Sequence, residues 1–254
     1  MADLTPTPRK EKPILQFAQK ITRFAYPARC LACGVETGVD NMLCQNCWPE
    51  AYFIAGNLCL TCGLPLQGPA EETDLCESCY AHPAIWGRGR AVGLYEGPLR
   101  RMVLSLKHAD RQDIAQHMAR WMLGVEDGMI TAQTCLVPVP LHWSRMLKRR
   151  FNQSVLIANA IARERAVRVI PDGLQRVRAT KQQKDMTRAD RFENQRAAIR
   201  PHPNRTKMIR GKPILLIDDV MTTGATLSAC AEACFQAGAA SVNVLVFARV
   251  ARLD

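Results

Sequence analysis

Residues 214 to 226, ILLIDDVMTTGAT, set four apolar residues against two adjacent aspartates, two further apolar residues and a TTGAT turn. An apolar run that turns polar only at its carboxyl end is the pattern of a central parallel strand. Asp218 and Asp219 then stand where that strand leaves the sheet. Val220 and Met221 follow, and Thr222, Thr223, Gly224, Ala225 and Thr226 make the turn into the next helix. Gly224 permits close approach or positive φ. Main-chain N–H groups of residues 222 to 226 and three threonine hydroxyls, at the positive end of a helix, can surround a phosphate. Two ionised carboxylates aimed at that phosphate would repel it, so they must serve another part of the ligand. Vicinal hydroxyls, or a Mg2+ bound to hydroxyls, suit them. A sugar 5-phosphate with neighbouring 2- and 3-hydroxyls has this layout.

A second chemistry lies toward the amino terminus. Eight of the 11 cysteines form Cys-x2-Cys pairs: Cys30/Cys33, Cys44/Cys47, Cys59/Cys62 and Cys76/Cys79. Each pair makes a tight knuckle that offers two thiolates to one cation, and two knuckles complete a tetrahedral shell for zinc. Pairing in sequence order gives two structural zinc sites; an interleaved, RING-like pairing uses the same knuckles. A closed four-thiolate shell leaves no open position for substrate, so these zincs are expected to be scaffold.

The elements that position both chemistries divide near residue 85. Residues 1–27 are expected to be a polar tail and a short amphipathic helix, with Ile14, Phe17, Ile21 and Phe24 at helical spacing. Such a stripe usually packs on its own domain; the alternative is a peripheral hold on the inner face of the membrane. Residues 28–84 carry the double ribbon. From residue 85 to 254 strands and helices alternate. Strands are expected over 90–97, 134–140, 212–220 and 241–250, with helices over 99–108, 111–124, 151–165 and 225–239. That alternation implies a mostly parallel sheet with ligands at the carboxyl ends of its strands.

Charge is distributed unevenly. The chain of 254 residues carries net +11, and residues 142 to 212 alone hold 19 Lys+Arg against 5 Asp+Glu, a local +14. Such a tract points to a polyanionic partner or to a solvated basic surface. Arg145, Lys148, Arg149 and Arg150 follow the PVPL segment, and a cluster of this kind serves pyrophosphate or a DNA backbone equally well. The start of the chain lacks a secretory signal, and no apolar run approaches the roughly 18 residues of a membrane span. A cytoplasmic protein is expected, which makes cysteine pairs metal ligands rather than disulfides.

The 214–226 stretch resembles the phosphoribosyl-pyrophosphate (PRPP) motif of type I phosphoribosyltransferases. By that resemblance Asp218 and Asp219 contact ribose hydroxyls and Thr222 through Thr226 the 5-phosphate, with Val220 and Met221 inside the same phosphoribosyl-binding stretch. Together with the paired ribbons, YEGPLRRMVLSLKH (95–108), VPVPLHWSRMLKRRFNQS (137–154) and the polar series within 176–194, the chain resembles the ComF family (ComFC/GntX group). The resemblance implies an α/β fold of phosphoribosyltransferase type behind a double zinc ribbon. It also implies a role in bringing transforming single-stranded DNA into the cytoplasm; a separate reading makes the zinc ribbons the principal module, docking onto a helicase or membrane channel. Pyrophosphate or DNA contacts then fall on the Arg145–Arg150 cluster, Asn152, Gln153, Lys181, Arg188 and Arg191, the last three in a segment where the related enzymes keep a mobile hood loop. Transfer from PRPP with Mg2+ is the alternative activity. The family block usually reads Arg-Gly-Phe-Asn-Gln, and here Arg150 fills the glycine position. If that glycine serves a positive φ, arginine alters the turn; if the segment is helical, arginine only adds a cation.

Overall fold

A computed structural model of the chain describes residues 27–68, 74–107, 111–142, 146, 150–178 and 198–251. The amphipathic stripe from Ile14 to Phe24, the cations Arg145, Lys148, Arg149, Lys181, Arg188 and Arg191, and most of the hood-loop segment fall outside these residues.

The two cysteine groups come first and repeat one design. In each, the glycine after the second cysteine has left-handed φ, Gly34 at 77° and Gly63 at 65°. Each glycine N–H donates to the carbonyl of the first cysteine, Cys30 at 3.0 Å and Cys59 at 2.9 Å. The second group ends in a short helix α1 (Glu77–Ala81).

Five parallel strands follow: β1 (Gly89–Leu94), β2 (Cys135–Pro138), β3 (Arg168–Val169), β6 (Pro213–Met221) and β7 (Ser241–Arg249), in the order β1-β7-β6-β2-β3. A separate antiparallel pair, β4 (Leu174–Arg176) with β5 (Ile199–Pro201), stands beside them. Helices α2 (Gly97–Lys107), α3 (Ile114–Val125), α4 (Gln153–Arg165), a short α5 (Thr206–Ile209) preceded by a 3-10 turn (Pro203–Arg205), and α6 (Ala225–Gln236) complete the described elements. The strand–helix alternation read from the sequence is present, with ends shifted by a few residues. The apolar run of β6 is central because both of its neighbours pair with it, β7 from Pro213 to Met221 and β2 from Ile214 to Ile217. Leu215, Leu216 and Ile217 are fully buried as a result.

The ribbons are built into the sheet rather than appended to it. Ile54 N–H donates to Val92 O, and Leu94 N–H to Tyr52 O, both at 2.9 Å, so the link between the ribbons closes the outer edge of β1. Leu31 and Leu43 share one buried cluster with Leu99, Met102 and Phe247. Ile54 and Cys59 share the other with Trp86, Leu227 and Val244. An open strand edge invites pairing with another chain, and this one is covered.

Candidate phosphate-binding turn and zinc sites

Within each cysteine group all four Sγ atoms lie within 4.8 Å of one another, Cys30/Cys33/Cys44/Cys47 in the first and Cys59/Cys62/Cys76/Cys79 in the second. Pairing therefore runs in sequence order. The Cys33–Cys44 and Cys62–Cys76 sulfurs stand 3.7 Å apart. A zinc at about 2.3 Å from each of four thiolates requires an edge of about 3.8 Å, so the residues fit that ion. Each group also receives a guanidinium from beyond the ribbons. Arg101 of α2 donates to Cys47 Sγ at 3.3 Å, and Arg249 at the end of β7 donates to Cys62 Sγ at 2.8 Å. These cations offset the excess negative charge of a four-thiolate site.

The second site gathers at the carboxyl ends of β2 and β6. Gly224 has φ 79° and caps α6, and Ser228 N–H donates to Gly224 O at 2.8 Å, the first bond of that helix. The N–H groups of Ala225, Thr226 and Leu227 precede it and have no acceptor within the helix. Ala225 N–H makes a long 3.4 Å contact with Thr223 Oγ1. Thr222 is exposed, whereas Thr223 and Thr226 are half-buried. This is the geometry of an anion site at a helix amino terminus.

Adjacent strand residues project to opposite faces, and the two aspartates take different partners accordingly. Asp218 is half-buried, and its Oδ1 accepts from Ser154 Oγ and from Asp219 N–H, both at 2.9 Å. Burial, reinforced by the Asp219 carboxylate, pushes Asp218 up to about 7 despite those two hydrogen bonds and the Lys107 charge. Asp219 is 4% exposed, and its Oδ2 lies 3.0 Å from Lys107 Nζ at the end of α2. That oxygen has no aligned hydrogen bond among the described residues, so charge alone holds the pair. The sequence reading placed both carboxylates on one diol. Here Asp218 is the less buried of the two, and Asp219 is engaged by Lys107.

Several residues read from sequence as contacts have structural work instead. Asn152 is buried and caps α4: its Oδ1 accepts from Ser154 N–H and its Nδ2 donates to Val139 O, each at 2.9 Å. Gln153 is 3% exposed in the first turn of the same helix. Asn152 thereby orients α4 and places Ser154 against Asp218; Gln153 is buried, and its Oε1 has no hydrogen-bond partner among the described residues. Ser154 and Lys107 lie inside the sequence blocks quoted above, but nothing in their spacing gave them a role; only the convergence of α2, α4 and β6 does.

Arg150 resolves the question its position raised. It adopts φ 65°, the left-handed region, and its N–H donates to Met146 O at 2.7 Å. A glycine there would carry no steric penalty, whereas a Cβ costs on the order of 1 kcal/mol. Arg150→Gly is expected to stabilise the protein by about 1 kcal/mol, read as a higher denaturant midpoint at unchanged slope.

Among the described residues, cations of the basic tract lie at both ends of the sheet. Arg150, between β2 and α4, lies at the carboxyl end of the sheet. Arg163 and Arg165 end α4, Arg168 opens β3, and Arg210 and Lys212 precede β6. All five are exposed and lie at the opposite, amino-terminal end. The cause is topological: a helix between parallel strands returns the chain from one end of the sheet to the other.

Comparison with known proteins agrees with this architecture. A double zinc ribbon domain model matches residues 21–80, and a phosphoribosyl transferase domain model matches residues 152–253. The DNA utilization protein YhgH of Salmonella typhimurium is 31% identical over 88% of this chain and 97% of its own length. The chain belongs to the ComF family. Competence protein F of Haemophilus influenzae is 26% identical over 87% of this chain and 96% of its own. Competence protein ComFC of Bacillus subtilis is 25% identical over 83% and 85%. Both cysteine groups are thus the zinc-binding sites of a double ribbon. Among the described residues no helix of this ComF-family chain is long and apolar enough to cross a membrane.

Proposed function

We propose that this ComF-family protein acts in natural competence, binding single-stranded DNA together with a sugar 5-phosphate or the 5-phosphorylated end of a strand. The observation that carries the reading is the left-handed Gly224 turn at the amino end of α6, set directly after Asp218 and Asp219 on β6. The turn offers amides and hydroxyls to the phosphate. Asp218 offers its carboxylate to the sugar hydroxyls, or to Mg2+ held between them. The relatives named for competence and DNA utilization support the wider role.

The charge distribution divides the labour. Residues 27–84 contain one basic residue against seven acidic ones, net −6, which repels a nucleic acid and suits a protein partner such as a helicase or membrane channel. The exposed amino-end cations grip the strand without regard to sequence, and Arg150 stands by the phosphate. Affinity for a single-stranded oligonucleotide is expected to fall steeply with salt. Arg168→Glu/Lys212→Glu should weaken binding about tenfold and flatten the salt dependence by about two counterions. Arg150→Glu should instead reduce the preference for a 5-phosphorylated end. Binding that ignores salt would remove the DNA part of the proposal.

A second reading, transfer of the phosphoribosyl group from PRPP to an unidentified acceptor with Mg2+, rests on the same turn. Pyrophosphate release against a panel of bases and amines, abolished in Asp218→Asn, would favour it.

A further inference from the structure

We propose that Trp86 is a positioning residue that braces the Thr222–Thr226 turn against the second zinc site. Trp86 lies between the second ribbon and β1 and is 6% exposed. Its Nε1–H donates to Thr61 O at 2.7 Å, inside the knuckle made by Cys59 and Cys62. The far edge of the same ring lies against Gly224: a Cβ at that position would stand 3.1 Å from Cη2 and 3.9 Å from Cζ2. The ring therefore spans the gap between the knuckle and the turn.

The knuckle is itself fixed to the sheet beside the turn. Arg249, 8% exposed, donates to Cys62 O at 2.7 Å and to Cys62 Sγ at 2.8 Å. Arg249 is the β7 residue paired with Met221, the last residue of β6 before the turn. A metal-closed knuckle is a rigid object, and it touches the phosphate turn through one indole and the adjoining strand through one guanidinium.

Rigidity matters here because the turn has little of its own. Gly224 has no side chain to pack, and Thr222 points to solvent. An anion site binds well only if its N–H groups already converge before the ligand arrives. Trp86 supplies that preorganisation from outside the turn. Its consequence for ligand affinity rests on the phosphate reading above; the brace itself is measurable without ligand.

Trp86→Phe keeps a buried aromatic ring but removes both the N–H and the edge that reaches Gly224. In the zinc-loaded full chain, hydrogen exchange of the Ser228 amide, which donates to Gly224 O, is expected to accelerate about tenfold, with zinc content unchanged. Affinity for ribose 5-phosphate, by calorimetry, is expected to fall about tenfold. Arg101→Met, which acts at the first zinc site, should leave exchange at the turn unchanged. Adding Gly224→Ala to the wild type and to Trp86→Phe gives a second measurement. The Cβ presses on the ring, at 3.1 Å from Cη2, only in the first, so the two substitutions should be non-additive by threefold or more. Wild-type exchange in Trp86→Phe, or strict additivity, overturns the proposal. Accelerated exchange in a protein whose wild type ignores ribose 5-phosphate supports the brace and removes the ligand reading instead.

Discussion

Asp218→Asn is expected to raise the melting temperature by about 5–10 °C at pH 8 and to leave it nearly unchanged below about pH 4, while removing affinity for ribose 5-phosphate. Burial and the neighbouring Asp219 charge raise the Asp218 carboxyl from 3.8 to about 7 in the folded protein. Between those values the folded state binds a proton that the unfolded state has released. Stability from this group is therefore fully present below the unfolded value and lost as pH rises through about 7. The shift sets a ceiling of roughly 4 kcal/mol, and partial exposure of Asp218 brings it nearer 2–3 kcal/mol. Asparagine keeps an Oδ1 to accept from Ser154 Oγ and Asp219 N–H, so the local geometry has no reason to change. A residue that costs stability above neutral pH while its neutral isostere does not is under a functional demand. Thermal melts of both proteins from pH 4 to 8 check this. A constant difference, or a destabilised variant at pH 8, would contradict it.

Removal of residues 1–84 is expected to abolish folding of the remaining sheet rather than to release a working domain. The truncation strips Tyr52 and Ile54 from the edge of β1, and it takes Thr61 O from Trp86 and the Cys62 groups from Arg249. It also removes Leu31 and Leu43 from one buried cluster and Ile54 from the other, at roughly 2 kcal/mol or more for each large side chain that loses its cover. Arg249 would lose both of its acceptors at Cys62 together with the knuckle that covers it. Losses of this size are comparable with the whole stability of a typical domain, about 5–15 kcal/mol. Expression of the truncated chain should give aggregated material, or a species without a cooperative melt. Chelating zinc from the full chain should act the same way, since zinc-binding energy is folding energy at closed sites. A soluble fragment that melts near the full-length temperature would show the ribbons to be separable.

Both results turn on contacts that span the chain, and here sequence and structure contributed differently. The eight cysteine ligands were legible because Cys-x2-Cys is a local motif: one turn of backbone presents both thiolates, whatever the rest of the chain does. The strand and turn from Ile214 to Thr226 were legible for the same reason, as were α4 and β7, whose apolar periodicity and bounding glycines or polar residues lie close together in sequence.

The partition of the cysteines into two groups, the opposite facing of Asp218 and Asp219, and the engagement of Asp219 by Lys107 depended on distant segments. So did the placing of the described cations of the basic tract at two ends of the sheet, because each parallel crossover reverses the direction of the chain. Asn152 and Gln153 show the limit most plainly: as polar residues beside a basic cluster they read as contacts, but the fold buries them as the start of α4. Local spacing fixed which chemical groups this protein owns. Packing of the ribbons onto the sheet decided which of those groups meet, since hydrogen bonds and ion pairs act over a few ångströms regardless of how far apart their residues stand in the chain.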